Sequence, residues 1–342
     1  MADQKHGETP VWSIVLAGGE GERVKPLVQR WLGRHRPKQY CAFVGTRSMF
    51  QHTVDRAAQV STLRRTVVVA ARHHEAELRD QLVGRPVEHL LLQPANSDTA
   101  AGVFLPLTYV RARDPKATVV LLPSDHFVYP EARFLRLVRQ AIQVAERGAD
   151  RLVLLGVRPD RLELEYGWIE PEPEQAGENS GEPVRRVRRF LEKPEPARAD
   201  EAMRNGALWN TLVLATKAEV LWELGWQCFP EILVRFQRLG DAIGGPREAA
   251  VLEQTYEGMP LAGSTSSRPF RRIVWNVRLR RIRCRSRRRS VGLCNGRCER
   301  NEDENRDESK KTNRIVESGQ RSVPRTCDRR RRRAGADRRE SV

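Results

Sequence analysis

A nearly unbroken apolar run, residues 11–17, passes directly into Gly18, Gly19, Glu20, Gly21, Glu22 and Arg23. A strand that is apolar on both faces has to be covered on both faces, which points to a layered α/β chain. Three glycines at its carboxyl end let backbone N–H groups approach a ligand with no Cβ in the way. Arg36, Pro37, Lys38 and Gln39 follow. Backbone amides flanked by Arg23 and Lys38 suit a triphosphate. A glycine turn that only reverses the chain is the competing reading of the glycines by themselves.

Spacing excludes two common phosphate loops. A P-loop needs Gly, four residues, then Gly-Lys-Ser/Thr, and no lysine follows Gly21 in that way. A dinucleotide fingerprint needs a third glycine three residues after the second, and counted from Gly21 that position is Val24.

The same alternation continues downstream. Residues 66–71, 87–93, 118–122 and 152–157 are short apolar runs of the doubly buried kind, while residues 49–60, 75–83, 99–111 and 132–147 carry apolar side chains at helical intervals. Residues 184–193 and 207–215 read as later strands, and 217–227 and 230–239 as helices. Strand and helix in turn predict a mainly parallel sheet covered by helices, with ligands at the carboxyl ends of its strands. Gly18, Gln93 and Asp125 all fall at such ends. Residues 171–183, rich in Glu, Pro, Gly and Ser, read as a surface loop.

The glycine loop resembles the signature of the sugar-1-phosphate nucleotidylyltransferases, and among them the mannose-1-phosphate guanylyltransferases. Leu16 to Arg23, Pro26 with Leu27, and Pro37 to Gln39 carry the first part of the likeness. Gln93 to Ala101, then Pro123, Ser124, Asp125 and His126, then Tyr166 to Glu170, Phe190 to Pro194, and Leu208 to Asn210 follow in the family's order. The resemblance implies a three-layer, Rossmann-like nucleotidyltransferase fold. It also implies transfer of a nucleotidyl group from GTP to a sugar 1-phosphate, with mannose 1-phosphate the expected acceptor, GDP-mannose and pyrophosphate the products, and Mg2+ the cofactor.

In such a transfer an already ionised phosphate oxygen attacks the α-phosphorus in line, so no general base is needed and catalysis reduces to positioning and charge neutralisation. Arg23 is then expected to clamp the β- and γ-phosphates, with Lys38 near the α-phosphate or the attacking oxygen. Asp125 is expected to ligate the metal; capping a helix is its other reading. His126 either orients Asp125 or packs in the core. Leu16, Ala17, Gly18, Gly19, Gly21, Gln93, Asn96 and Thr99 would bind the nucleotide, and Gly167, Glu192, Lys193 and Asn210 the sugar phosphate. Departures from the family pattern include Glu22 for Ser or Thr, Lys25 for an aromatic, and Thr211-Leu212 for Ser-Gly.

Charge divides the chain. Residues 262–342 hold 26 Lys+Arg against 10 Asp+Glu, which accounts for almost all of the net +17 and leaves the first 261 residues near neutral. Three segments follow: an extension at 1–10, a catalytic domain at 11–260, and an Arg-rich tail at 261–342. The tail has almost no apolar periodicity, so disorder is expected from Ser264 onward. It lacks the Trp-x-Asp-x-Gly segment from which relatives draw a second metal-binding aspartate. Two readings are open: a reading frame that slips near Pro260, or a basic tail that meets nucleic acid through nonspecific phosphate attraction. The first ten residues are unlike a signal peptide and no apolar run is long enough to span a bilayer, so a cytoplasmic protein is expected.

Overall fold

The computed structural model describes residues 9–148, 150–173, 184–260 and 278–280. In chain order its strands are β1 (Val11–Leu16), β2 (Thr66–Ala71), β3 (His89–Gln93), β4 (Thr118–Pro123), β5 (Leu152–Val157), β6 (Gly167–Pro171), β7 (Val184–Glu192), β8 (Leu208–Lys217) and β9 (Arg278–Arg280). The helices are α1 (Lys25–Leu32), α2 (Met49–Val60), α3 (Glu75–Gln81), α4 (Asp98–Arg113), α5 (Glu131–Glu146), α6 (Pro196–Arg204), α7 (Ala218–Cys228), α8 (Pro230–Gly240) and α9 (Glu248–Tyr256).

The sheet runs in the order β3-β2-β1-β4-β8-β5-β9-β7-β6, with β6 also pairing to β8. β3, β2, β1 and β4 are parallel, and β8 enters antiparallel between β4 and β5. Alternate side chains of the parallel strands feed two separate cores. Trp12, Ile14, Val67 and Val69 face a layer built from α4, α7, α8 and α9, whereas Val15, Ala17, Val68 and Ala70 face α2 and α5. A side chain such as Val68, with no exposed surface, contributes about 1.5–3 kcal/mol relative to leaving it in water. A third cluster, including Trp168, Leu191, Ala199 and Trp209, fills the space under β6, β7 and α6.

Local chemistry fixes the ends of these elements. Ser48 and Gln51 form a reciprocal capping box at the start of α2, with Ser48 Oγ accepting from the Gln51 N–H at 3.1 Å and Gln51 Oε1 accepting from the Ser48 N–H at 3.0 Å. Pro26 opens α1 and Gly33, in the left-handed region at φ 70°, ends it.

Register aligns the strand ends that matter. Leu16 stands opposite both Val69 and Pro123, and Ala71 opposite Gln93. The segments beginning at Ala17, Arg72, Pro94 and Ser124 therefore leave the sheet along one rim. Of the Arg-rich stretch, only Arg278–Arg280 is described, as β9 pairing parallel to β5 and antiparallel to β7. The remainder, with its expected disorder, lies outside the described residues, as do 174–183 of the expected surface loop.

Candidate active site

At the rim opens a cleft of about 380 Å³ lined by Leu16, Gly18, Gly19, Gln39, Val69, Gln93, Asn96, Asp98, Thr99, Gly102, Pro123, Ser124, Asp125 and Leu212. Of the residues assigned to the nucleotide, Leu16, Gly18, Gly19, Gln93, Asn96 and Thr99 line it, as does the expected metal ligand Asp125. Ala17 and Gly21 do not. Ala17 is buried beneath the loop, and its carbonyl accepts hydrogen bonds from Gln39 Nε2 at 3.1 Å and the Tyr40 hydroxyl at 2.9 Å. Gly21 adopts φ 68°, and a Cβ there would come within 2.9 Å of the Lys38 backbone nitrogen.

The loop is braced from behind. Gln39, almost fully buried, also donates from Nε2 to the Gly19 carbonyl at 2.7 Å, so one amide group holds two loop carbonyls. With those carbonyls occupied, the glycine segment can lie against the cleft without its oxygens facing a phosphate. Gly18 meets Gln93 closely, since a Cβ at Gly18 would lie 3.2 Å from Gln93 Oε1. Gln93 in turn donates from Nε2 to the Tyr256 hydroxyl at 3.1 Å, so the end of α9 fixes the buried amide.

Lys38 Nζ lies 2.6 Å from Asp125 Oδ2. Burial pushes the Asp125 carboxyl up, but His126 and Lys38 outweigh it and hold it below the usual carboxylate range. The capping alternative for Asp125 is not taken: α5 starts at Glu131 with Pro130 at its N-cap. His126 Nε2 stands 3.7 Å from Asp125 Oδ1, too far for a hydrogen bond, and burial lowers the imidazole pKa. Asp125 thus offers a hard, ionised oxygen donor at the cleft, a chemistry that fits Mg2+ retained largely by waters and substrate phosphates.

None of the expected sugar-phosphate residues lines this cleft; they stand together as a separate wall on β6, β7 and β8. Gly167 is in register with Glu192 across β6 and β7. Any Cβ at Gly167 would sit 2.6 Å from Phe190 Cζ and 3.1 Å from Glu192 Oε2, so glycine is required there for packing. Burial pushes the Glu192 carboxyl up, with Lys193 opposing. Asn210 Oδ1 accepts from the Leu212 N–H at 3.1 Å. Arg23 does not line the cleft. Its Nη2 lies 3.3 Å from Glu165 Oε2, and Lys193 Nζ lies 3.4 Å from the same oxygen, so one exposed carboxylate joins the cation of each half. Glu22 is tied to Lys25 at 3.2 Å: two departures from the family pattern neutralise each other.

The model of the nucleotidyl transferase family matches residues 12–241. The chain belongs to the nucleotidyl transferase family. Among curated relatives of this nucleotidyl transferase, the xanthan biosynthesis protein XanB of Xanthomonas campestris is 32% identical over 242 residues, covering 70% of this chain and 48% of that protein. The mannose-1-phosphate guanylyltransferase RfbM of Salmonella typhimurium is 30% identical over 205 residues, 58% of this chain and 40% of that protein. The chain thus spans under half the length of these relatives. A solved mannose-1-phosphate geranyltransferase from Thermus thermophilus superposes with a TM-score of 0.65 at 27% identity, over 80% of this chain and 74% of that one.

Several residues around the candidate site of this nucleotidyl transferase carry no motif of their own. Glu165 and Tyr256 gave no sequence signal, because an exposed glutamate before a strand and a tyrosine near a helix end are common. Gln39 stood in the quoted Pro-Lys-Gln segment, but its brace on the loop is visible only in three dimensions. Trp168 and Trp209 pack against one another, with ring centroids 6.2 Å apart.

Proposed function

We propose that this chain is a mannose-1-phosphate guanylyltransferase, which joins GTP to mannose 1-phosphate and releases pyrophosphate. The observation that carries the reading is the convergence of the glycine loop, the Gln93–Thr99 segment and the Lys38–Asp125 pair on one cleft. The names of relatives such as RfbM support guanine and mannose as the partners.

In this reading the purine lies against Gln93, Asn96 and Thr99, and the triphosphate follows the N–H groups of Gly18 and Gly19. Arg23 turns from Glu165 to the β- and γ-phosphates, and Lys38 meets the α-phosphate. Glu192 accepts hydrogen bonds from sugar hydroxyls, Lys193 pairs with the sugar's phosphate, and Gly167 and Asn210 shape that wall. Asp125 would hold Mg2+, which supplies positive charge toward the phosphates when bound. The sugar-phosphate oxygen needs no base, so the side chains act by orientation and by fixed charge.

The deciding experiment follows pyrophosphate release by the full chain with Mg2+, offering GTP, ATP, UTP and dTTP each against mannose 1-phosphate and glucose 1-phosphate. Release specific to GTP and mannose 1-phosphate supports the reading. Faster release with another pair replaces it with that specificity. The tail bears on the result, since relatives are expected to supply a second aspartate from beyond Pro260. A version of the gene with its frame restored past that codon separates a wrong substrate from a missing ligand.

A further inference from the structure

Beside the glycine loop, where the chain leaves β2, lies a group of donor atoms that the nucleotidyl transfer does not use. Glu20 is the carboxylate between Gly19 and Gly21, and His73 and His74 belong to the short 3-10 turn after β2. His73 Nε2 lies 2.9 Å from Glu20 Oε1, and His74 Nε2 lies 3.4 Å from Glu20 Oε2. The three donor atoms all fall within 4.8 Å of one another. Exposure is graded across them: the His74 side chain is 6% exposed, Glu20 30% and His73 62%. The site has a closed inner wall and an open entrance.

Carboxylate and imidazole lone pairs brought this close repel unless a proton or a cation sits between them. Nδ1 of His74 is buried with no hydrogen-bond partner among the described residues, so Glu20 alone draws the ring proton, toward Nε2. A cation at Nε2 takes the place of that proton, which then moves to Nδ1. The Tyr40 ring stands edge-on to His74 with centroids 5.5 Å apart, and its hydroxyl is engaged with the Ala17 carbonyl.

We propose that Glu20, His73 and His74 form a binding site for a borderline-soft divalent cation of the Zn2+ type. Two imidazoles and one carboxylate, with a fourth position open to solvent, match the preferences of Zn2+, Co2+ and Ni2+, whereas Mg2+ favours oxygen donors. The site therefore selects a different ion from the one Asp125 suits. Occupancy ties the glycine loop to the end of β2 and cancels the negative charge of Glu20 beside the phosphate-binding amides.

The test is calorimetric titration of the full chain with ZnCl2 in saturating Mg2+ and without substrates, its accessible thiols first alkylated. One saturable ion per chain is expected. Glu20→Gln and His73→Ala alter a loop carboxylate and a largely exposed ring, and circular dichroism checks that both variants fold. Each should weaken binding by about 10- to 100-fold or more. No saturable uptake in the presence of Mg2+ overturns the proposal. Unchanged affinity in both variants overturns it as well, by placing the ion on groups other than these three.

Discussion

Gly21 and Gly19 stand two residues apart in one loop, yet only one of them needs to be glycine for the backbone's sake. Gly21 has φ 68° and no room for a Cβ against the Lys38 nitrogen, whereas a Cβ at Gly19 would meet nothing within 4 Å. Gly21→Ala should therefore cost about 1–2 kcal/mol from the left-handed conformation alone, plus the contact with Lys38. Gly19→Ala should leave the urea midpoint unchanged or raise it slightly. Equal midpoints for the two variants would contradict this account. The non-glycine residues with positive φ make a related point. Asp98, Lys193 and Leu212, at φ 62°, 41° and 57°, all belong to the cleft wall or the expected sugar-phosphate wall. Each carries a local cost that the surrounding fold outweighs, a pattern of strain found at functional sites. At Leu212 the neighbouring side chain helps to hold the turn, with Asn210 Oδ1 accepting from the Leu212 N–H.

At the scale of elements, α9 reaches the site through a single group. Tyr256→Phe removes the acceptor for Gln93 Nε2 and leaves a buried donor unpaired, a loss of about 1–3 kcal/mol of stability by urea denaturation. If Gln93 reads the base, the same variant should raise KM for GTP with kcat little changed, because the lost orientation serves ground and transition state alike. A kcat fall at constant KM would place Tyr256 elsewhere in the mechanism. Strand β7 carries a pH signature. The folded chain holds the Glu192 proton more tightly than the unfolded chain, so this group disfavours the fold as pH rises through the ordinary carboxylate range near ~4.3. Glu192→Gln should therefore be slightly more stable at neutral pH. KM for the sugar phosphate should climb on acidification at a higher pH than for an ordinary carboxylate, and this limb should flatten in the Gln variant. These elements differ in how far the sequence reveals them. β2 and α2 match their periodicity residue for residue, because doubly buried strands and amphipathic helices leave strong patterns. α1 places Leu27, Val28, Trp31 and Leu32 at helical spacing, but it is little more than two turns long and buries only Val28, so the short pattern does not stand out. α9 buries Thr255 and Tyr256 at its end and carries no clear apolar stripe.

The whole molecule presents two walls built from different parts of one sheet: the parallel strands carry the glycine loop, and β6 to β8 carry the expected sugar-phosphate residues. The first wall was legible in the sequence because its residues follow directly from apolar strands. The link between the walls was not, since Arg23, Glu165 and Lys193 are brought together only by tertiary structure. Glu165 holds the two cations that the proposed function assigns to opposite substrates, and its carboxylate competes with the incoming phosphates for both. All three side chains are more than half exposed, so the link is worth at most about 1 kcal/mol. Glu165→Gln should thus lower KM for GTP and for the sugar phosphate by about two- to fivefold, the range that such an energy allows. Arg23→Ala, by contrast, should reduce turnover by about 10²- to 10³-fold if the guanidinium stabilises developing charge. Steady-state kinetics on both variants separates a competitor from a positioning group: a rise in either KM with Glu165→Gln would mean that the carboxylate aligns the cations for substrate, and the two walls would then be joined by design of the ground state instead of being released on binding.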